Sequence, residues 1–243
     1  MNRTTDDDET IRKRSGWLIP LGVFLVTFVL SALFLLIYLA PNAPNLFQEQ
    51  VSPTSRSDII ALKVGGHAFH IPANYLEYQS TRQGGDRREA ALYALLPGMS
   101  GWSNWDAHGF TDNSVDSPVL EMRIRQDNLN LSEADRLQRV YMGYILNPRG
   151  VAGLYGLRQY NFRGDSGYHD EDLFVGQTDK GLLVMRCVRL GPNVSSPNCM
   201  RDMPVARGVS LFYRFKRANL SKWHEINDGV NKLIASFEKK PPK

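Results

Sequence analysis

The sequence has few cysteines, and their spacing disfavours the common metal and redox motifs. Among 243 residues the chain has only Cys187 and Cys199, so no pair has the CxxC spacing of zinc ribbons or thioredoxin-like sites. The stretch between them is rich in Gly, Pro, Asn and Ser, which is typical of a loop that joins two strands. We therefore predict a structural disulfide between the two sulfurs in an oxidising compartment. We expect no bound metal and no cofactor.

Charged side chains are absent from Trp17 to Ala40, a stretch of 24 residues. A helix needs ~20 apolar residues to cross the hydrocarbon of a bilayer, whereas a secretory signal has a shorter apolar core and a small-x-small cleavage site. Tyr38 occupies a position where cleavage after Ala40 would require a small residue. No cysteine stands directly after the stretch to accept a lipid. The sequence therefore predicts an uncleaved transmembrane helix over residues 17–40.

Basic residues are absent from positions 41–50, just after the apolar stretch, whereas Arg12, Lys13 and Arg14 lie just before it. Short loops rich in Lys and Arg stay in the cytoplasm, and acidic residues contribute little to this rule. We therefore expect a single-pass protein of the bacterial inner membrane. Its N-terminus would be cytoplasmic and its C-terminal part periplasmic.

The predicted topology divides the rest of the chain into three parts. A cytoplasmic tail over residues 1–16 is too short to bury a core. Residues 41–57 are rich in Pro, Asn and Ser and predict a linker, and residues 58–243 are long enough for a periplasmic domain. The net charge of +4 is modest, so it is compatible with an acidic partner or an anionic membrane surface and demonstrates neither. Nucleic acid is not an expected partner outside the cytoplasm.

Alternating apolar residues and turn signals predict a sheet in the domain, and Gly65-Gly66 between the first two strands predicts a hairpin. Strands are expected at residues 59–64, 68–71, 118–125, 153–162, 172–177, 181–190 and 208–216. Residues 90–96 fit either a strand or a short helix. Ser132 has the features of a helix cap, and a second amphipathic helix begins near Ser221. This order predicts an α+β fold with an antiparallel sheet and two amphipathic helices after the transmembrane helix.

This order of elements resembles the PsbP-like α/β sandwich over residues 58–238. Three segments carry the resemblance: the hairpin from Val64 to Pro72, a strand that leads into the Ser132 helix, and a final strand and helix that end at Phe237. The chain also resembles uncharacterised single-pass envelope proteins of Gram-negative bacteria. The resemblance implies an accessory or binding protein, although a fold does not dictate a function.

Catalytic motifs are incomplete in this sequence. Residues 164–167, Gly-Asp-Ser-Gly, resemble the serine motif of trypsin-like proteases, but Tyr168 follows where that family has a second glycine. His108 lies only 58 residues before Ser166, which is too close for the two-barrel layout of those proteases. The same four residues also suit an ordinary turn. We therefore predict no catalytic residue.

Metal-binding patterns are also weak. His67 and His70 are three apart in a predicted strand, where such residues point to opposite faces. Residues 169–172 are acidic but lack the pattern of an EF-hand loop, so a solvated loop is the favoured interpretation. We predict no metal ligand.

Two sets of residues are candidates for binding a partner. Trp102 and Trp105 lie in a long Gly/Ser/Asn-rich stretch, residues 97–118. Long loops are often functional and aromatic residues are enriched at contacts, although tryptophans also fold back onto a core. The second set lies in the C-terminal strands and suits either an acidic partner or the solvated side of a sheet. Its members are Arg186, Arg189, Arg201, Arg207, Arg214, Lys216 and Arg217, of which Arg186, Arg189 and Arg214 are the predicted contacts.

These observations favour a membrane-anchored periplasmic protein that binds another protein of the envelope and has no catalytic activity. It would act as an accessory subunit of an envelope complex or as a toxin-neutralising immunity protein. The alternative is a domain that binds or hydrolyses cell-wall material. That alternative requires a deep pocket with convergent polar groups.

Overall fold

The computed structural model describes residues 16–39 and 49–240, and the chain divides into two compact units, residues 1–49 and 50–243. The first unit contains helix α1, Leu18–Leu39. Over Leu18–Ile37 this helix is long and apolar enough to cross a membrane, and its side chains there are not buried by protein. Residues 1–15 of the predicted cytoplasmic tail and residues 41–48 of the predicted linker lie outside the described residues.

The second unit is built on an eight-stranded antiparallel sheet. Its strands are β4 Glu89–Leu95, β5 Val119–Gln126, β6 Val151–Ala152, β7 Arg158–Asn161, β8 Glu171–Thr178, β9 Gly181–Val188, β10 Asn198–Ala206 and β11 Val209–Lys216. Their spatial order is β4-β5-β11-β10-β9-β8-β7-β6. The predicted α+β class is confirmed, because an apolar helix is followed by antiparallel strands and a C-terminal helix.

A small sheet of three strands opens the second unit: β1 Ile59–Val64, β2 His67–Pro72 and β3 Gly85–Arg87. The predicted hairpin joins β1 to β2, and β3 lies parallel to β1. Gly65 has a φ of +56°, and a Cβ there would lie 2.7 Å from the carbonyl oxygen of Gly208. The hairpin turn therefore requires glycine for both its backbone conformation and its close contact.

The main core lies between the inner face of the large sheet and helix α4, Trp223–Glu238. Strands β5 and β11 bury the alternating apolar side chains that their sequences predict, and β11 also buries Ser210 and Lys216. Helix α4 is amphipathic as predicted, and its buried side chains are Trp223, Ile226, Asn227, Val230, Ile234 and Phe237. Burial of each apolar side chain among them stabilises the fold by ~1.5–3 kcal/mol. Gly229 in this helix is explained by packing, since a Cβ there would lie 2.5 Å from Cε of Met99.

The outer face of β8 and β9 is covered by the segment after Ser132. This segment is a short helix α3, Glu133–Arg136, followed by a π-helical turn, Leu137–Tyr141, and a 3₁₀ turn, Met142–Tyr144. Ser132 caps it as predicted, because its Oγ accepts the N–H of Asp135 at 3.0 Å. A second apolar cluster forms beneath it from Leu137, Tyr141, Ile145, Phe162, Leu173 and Val184. The predicted regular helix is therefore an irregular helical segment.

Candidate partner-binding surface

Three connections meet at one end of the large sheet. Strands β4, β9 and β11 end there, and β5, β8 and β10 begin there. The connections are residues 96–118, residues 162–170 and residues 189–197. We call them the Trp loop, the β7–β8 loop and the disulfide loop, and together the three-loop end.

Hydrogen bonds hold the base of the Trp loop against the rest of the domain. The N–H of Trp102 donates to the carbonyl of Asn74 at 2.8 Å, and Nδ2 of Asn74 donates back to the carbonyl of Trp102 at 3.2 Å. The hydroxyl of Tyr75 donates to the carbonyl of Met99 at 3.0 Å. Trp102 is half-buried. This tryptophan therefore belongs to the base of the loop, where its backbone holds the loop in place.

The tip of the Trp loop projects Trp105 into solvent. Its side chain is 94 % exposed. The short helix α2, Ala107–Thr111, follows, and its Phe110 packs edge-on against Tyr93 with ring centroids 4.8 Å apart. Ser103 Oγ donates to the carboxylate of Asp106 at 2.7 Å and closes the turn that carries the indole. Tryptophan is usually well buried, so an indole held in the open is a candidate anchor for a partner.

The Trp loop is acidic. It contains Asp106, Asp112 and Asp116 and has neither lysine nor arginine. Asp112 accepts hydrogen bonds from the backbone and hydroxyl of Ser114, which fixes its position. Carboxylates on the same loop as an exposed aromatic side chain suit a basic partner surface, because complementary charge speeds encounter and sets orientation.

The disulfide loop lies beside the Trp loop. Cys187 and Cys199 face each other on β9 and β10, with a Cα–Cα distance of 3.9 Å, and the predicted disulfide is confirmed. Ser196 Oγ donates to the carbonyl of Ser114 across the two loops at 3.2 Å. Leu190 in the disulfide loop is 71 % exposed. The disulfide and the inter-loop hydrogen bond together restrain this part of the three-loop end.

Each of the three predicted arginine contacts is paired with a carboxylate. The pairs are Arg186–Glu171, Arg189–Asp172 and Arg214–Glu121, with N–O distances of 2.6, 2.7 and 2.5 Å. Arg189 belongs to the disulfide loop, and the guanidinium of Arg186 lies 5.1 Å from the ring centroid of Tyr168 in the β7–β8 loop. Arg214 lies on the outer face of the sheet. The charges of all three arginines are therefore partly neutralised within the domain.

Residues of the incomplete protease motif and of the weak metal-binding pattern make contacts within the domain. Ser166 is buried, and its Oγ accepts the N–H of Tyr168 at 3.2 Å within a turn. His67 Nε2 lies 2.9 Å from a carboxylate oxygen of Glu238. Within residues 16–39 and 49–240, no group of three His, Cys, Asp or Glu side chains is arranged to hold a metal ion.

A buried ionic cluster closes a gap in the sheet. Pairing between β9 and β10 ends at Met185 and Arg201. At that point the carboxylate of Glu133 on α3 accepts the N–H of Val184 at 2.8 Å and two hydrogen bonds from Arg201 at 2.9 and 2.5 Å. The sequence pattern does not indicate this cluster, because Glu133 and Arg201 are 68 residues apart in the chain.

Arg201 also connects the sheet to α4. Its guanidinium donates to Oδ1 of Asn227 at 2.5 Å and to the hydroxyl of Tyr213 at 3.2 Å. Burial alone would lower the pKa of Arg201, but the hydrogen bonds and charge of Glu133, together with Tyr213, raise it above its usual value. A cavity of about 340 Å³ lies next to the cluster. The polar groups of the cluster bond to one another, which makes it a structural link between α3, the sheet and α4.

No protein-family model matches the chain, and no curated protein matches it in sequence. In structure it is similar to an immunity protein of the Stenotrophomonas maltophilia type IV secretion system. The similarity has a TM-score of 0.54 at 16 % sequence identity and covers 80 % of this chain and 100 % of that chain. At this identity the two chains share a fold. The PsbP-like resemblance stays a prediction.

Proposed function

We propose that this chain is a membrane-anchored protein of the immunity type, which binds and neutralises a toxin protein in the periplasm. In this proposal α1 lies in the bacterial inner membrane with its N-terminus in the cytoplasm, and residues 58–243 form the periplasmic binding domain. An apolar helix followed by a disulfide-bonded domain fits that location. The fold that the chain shares with an immunity protein of a secretion system supports the role.

The observation that carries the proposal is the exposed indole of Trp105. It lies on an acidic loop whose base is held in place by hydrogen bonds. Residues that dominate binding energy are enriched in tryptophan, and a loop that is already ordered loses little conformational entropy on binding. Asp106, Asp112 and Asp116 favour a toxin with a basic surface around a pocket for the indole. Trp102 belongs to the base of the Trp loop, and Arg189 lies in the disulfide loop at the same end of the sheet.

Site-specific photocrosslinking in intact cells tests this surface. A benzophenone amino acid replaces Trp105 in one variant and Leu129 in the control. Leu129 is 75 % exposed and follows β5 at the opposite end of the sheet. We expect a one-to-one adduct with one basic protein at position 105 and none at position 129. Absence of an adduct at 105, or equal adducts at both positions, would contradict the proposed surface.

A further inference from the structure

A second exposed surface lies at the edge of the large sheet formed by β6 and β7. Large apolar side chains are exposed there, and the proposed toxin-binding surface does not use them. They are Tyr144, Leu146, Val151, Leu154 and Tyr155. Several large exposed apolar side chains in one short segment of a folded domain are typical of a site of contact with protein or membrane. We call residues 144–163 the outer edge.

The outer edge is one connected structure. The N–H of Leu146 donates to the carbonyl of Asn161 at 2.9 Å, and the N–H of Arg163 donates to the carbonyl of Tyr144 at 2.8 Å. Beyond these bonds, toward the turn that joins the two strands, β6 pairs with β7. The exposed apolar side chains therefore belong to a single layer at the border of the sheet.

The most exposed part of the outer edge is held in a fixed conformation. Tyr155 has a φ of +59°, which is unfavourable for a tyrosine. Its carbonyl accepts the Nε1–H of Trp223 at 3.0 Å, and the N–H of Gly153 donates to the carbonyl of Leu157 at 2.8 Å. These bonds hold the loop in a conformation in which Leu154 and Tyr155 are exposed, so the surface is ordered before it meets a ligand.

The outer edge itself carries charge of one sign. It contains no aspartate or glutamate, and its three arginines, Arg149, Arg158 and Arg163, are exposed. Arg163 pairs with Asp165, next to the edge, at 3.2 Å, so the excess positive charge lies on Arg149 and Arg158. Aliphatic and tyrosine side chains interspersed with arginine suit the interface of a bilayer with anionic headgroups, where apolar groups enter the acyl boundary and cations meet phosphate.

We propose that the outer edge binds the anionic surface of a lipid bilayer. This inference rests on the membrane anchoring that is part of the proposed function. Ten residues, 40–49, connect α1 to the second unit. So short a tether keeps lipid at a high effective concentration, and a weak surface affinity is then sufficient. The absence of acidic residues from the segment and the spread of its apolar groups along an edge favour lipid over a toxin.

Fluorescence quenching in vesicles tests this proposal with the full chain. A fluorophore is attached to Leu154→Cys, or to Leu190→Cys as the matched control, since the two leucines are 66 % and 71 % exposed. The native cysteines form the disulfide and do not take the label. The chain is reconstituted in phosphatidylcholine alone or with phosphatidylglycerol, and nitroxide-bearing lipid is the quencher. We expect quenching at position 154 in the anionic vesicles, its loss in Arg149→Gln or high salt, and no quenching at position 190.

The other outcomes overturn the proposal in distinguishable ways. The proposal would be overturned by equal quenching at both positions or by no quenching at position 154. Quenching that is equally strong in neutral and anionic vesicles would also overturn it. An unquenched label at 154 together with loss of toxin protection in Leu154→Ser would identify the outer edge as a protein contact instead. Alkaline extraction of the vesicles tests the anchor separately. A chain released by alkali refutes membrane anchoring and this proposal with it, whereas a retained chain without quenching refutes this proposal alone.

Discussion

Removal of the Glu133 carboxylate should strongly destabilise the second unit. In Glu133→Ala the guanidinium of Arg201, whose side chain is 5 % exposed, loses its ionic partner and two hydrogen bonds, and the N–H of Val184 loses its acceptor. An uncompensated buried charge costs ~3–5 kcal/mol, and an unsatisfied buried N–H costs ~1–3 kcal/mol. These costs overlap, so we expect a loss of about 4 kcal/mol in the free energy of unfolding.

Urea unfolding in mild detergent, followed by tryptophan fluorescence, measures this loss. With a denaturant slope of ~2 kcal/mol/M, the midpoint should fall by about 2 M. Glu121→Ala is the matched control, because its pair with Arg214 is 44 % and 46 % exposed and is worth less than ~1 kcal/mol. The double variant with Glu133→Leu and Arg201→Met should regain most of the stability, since it leaves no buried charge. A cost for Glu133→Ala as small as that for Glu121→Ala would refute the reasoning.

Three further predictions concern pH, the disulfide and the Trp loop. Burial, then the charge of Glu121, raise the pKa of Glu77 from 4.5 to about 7. The folded state therefore holds a proton that the unfolded state has released, and stability should fall as pH rises from about 4.5 to about 7, but not in Glu77→Gln when urea midpoints are compared. Reduction of Cys187–Cys199 should lower the free energy of unfolding by about 3 kcal/mol in chemical denaturation. Trp105→Ala should leave the unfolding midpoint unchanged but weaken toxin binding by at least ~30-fold in titration calorimetry.

The elements that the sequence predicted well are those whose pattern is local. In strands β5 and β11 the apolar residues recur at every second position and are buried. In α4 the apolar residues recur with helical spacing, so in each element the local pattern predicts which side chains face the core. The disulfide could be predicted because the residues between the two cysteines have the composition of a loop. The apolar helix α1 could be predicted from its length and composition alone.

Features that depend on contacts between distant segments could not be predicted. Strand β10 was missed because Arg201 occupies an inward position in it, where alternation leads one to expect an apolar residue. The partner that makes this burial possible, Glu133, precedes it by 68 residues. The parallel pairing of β3 with β1 and the π-helical turn after α3 likewise follow from packing. Trp105 could be named as a candidate, but its exposure and the hydrogen bond between its loop and the disulfide loop required the structure.

The central claim is that this chain protects its host from a toxin, and a competition on solid medium tests it most directly. A strain that lacks the chain is grown in contact with its parent, and survivors are counted. The account predicts that the parent kills the deletion strain, that the wild-type chain restores survival, and that a folded Trp105→Ala chain does not. Equal survival of the deletion strain and its parent, or full rescue by Trp105→Ala, would contradict the account.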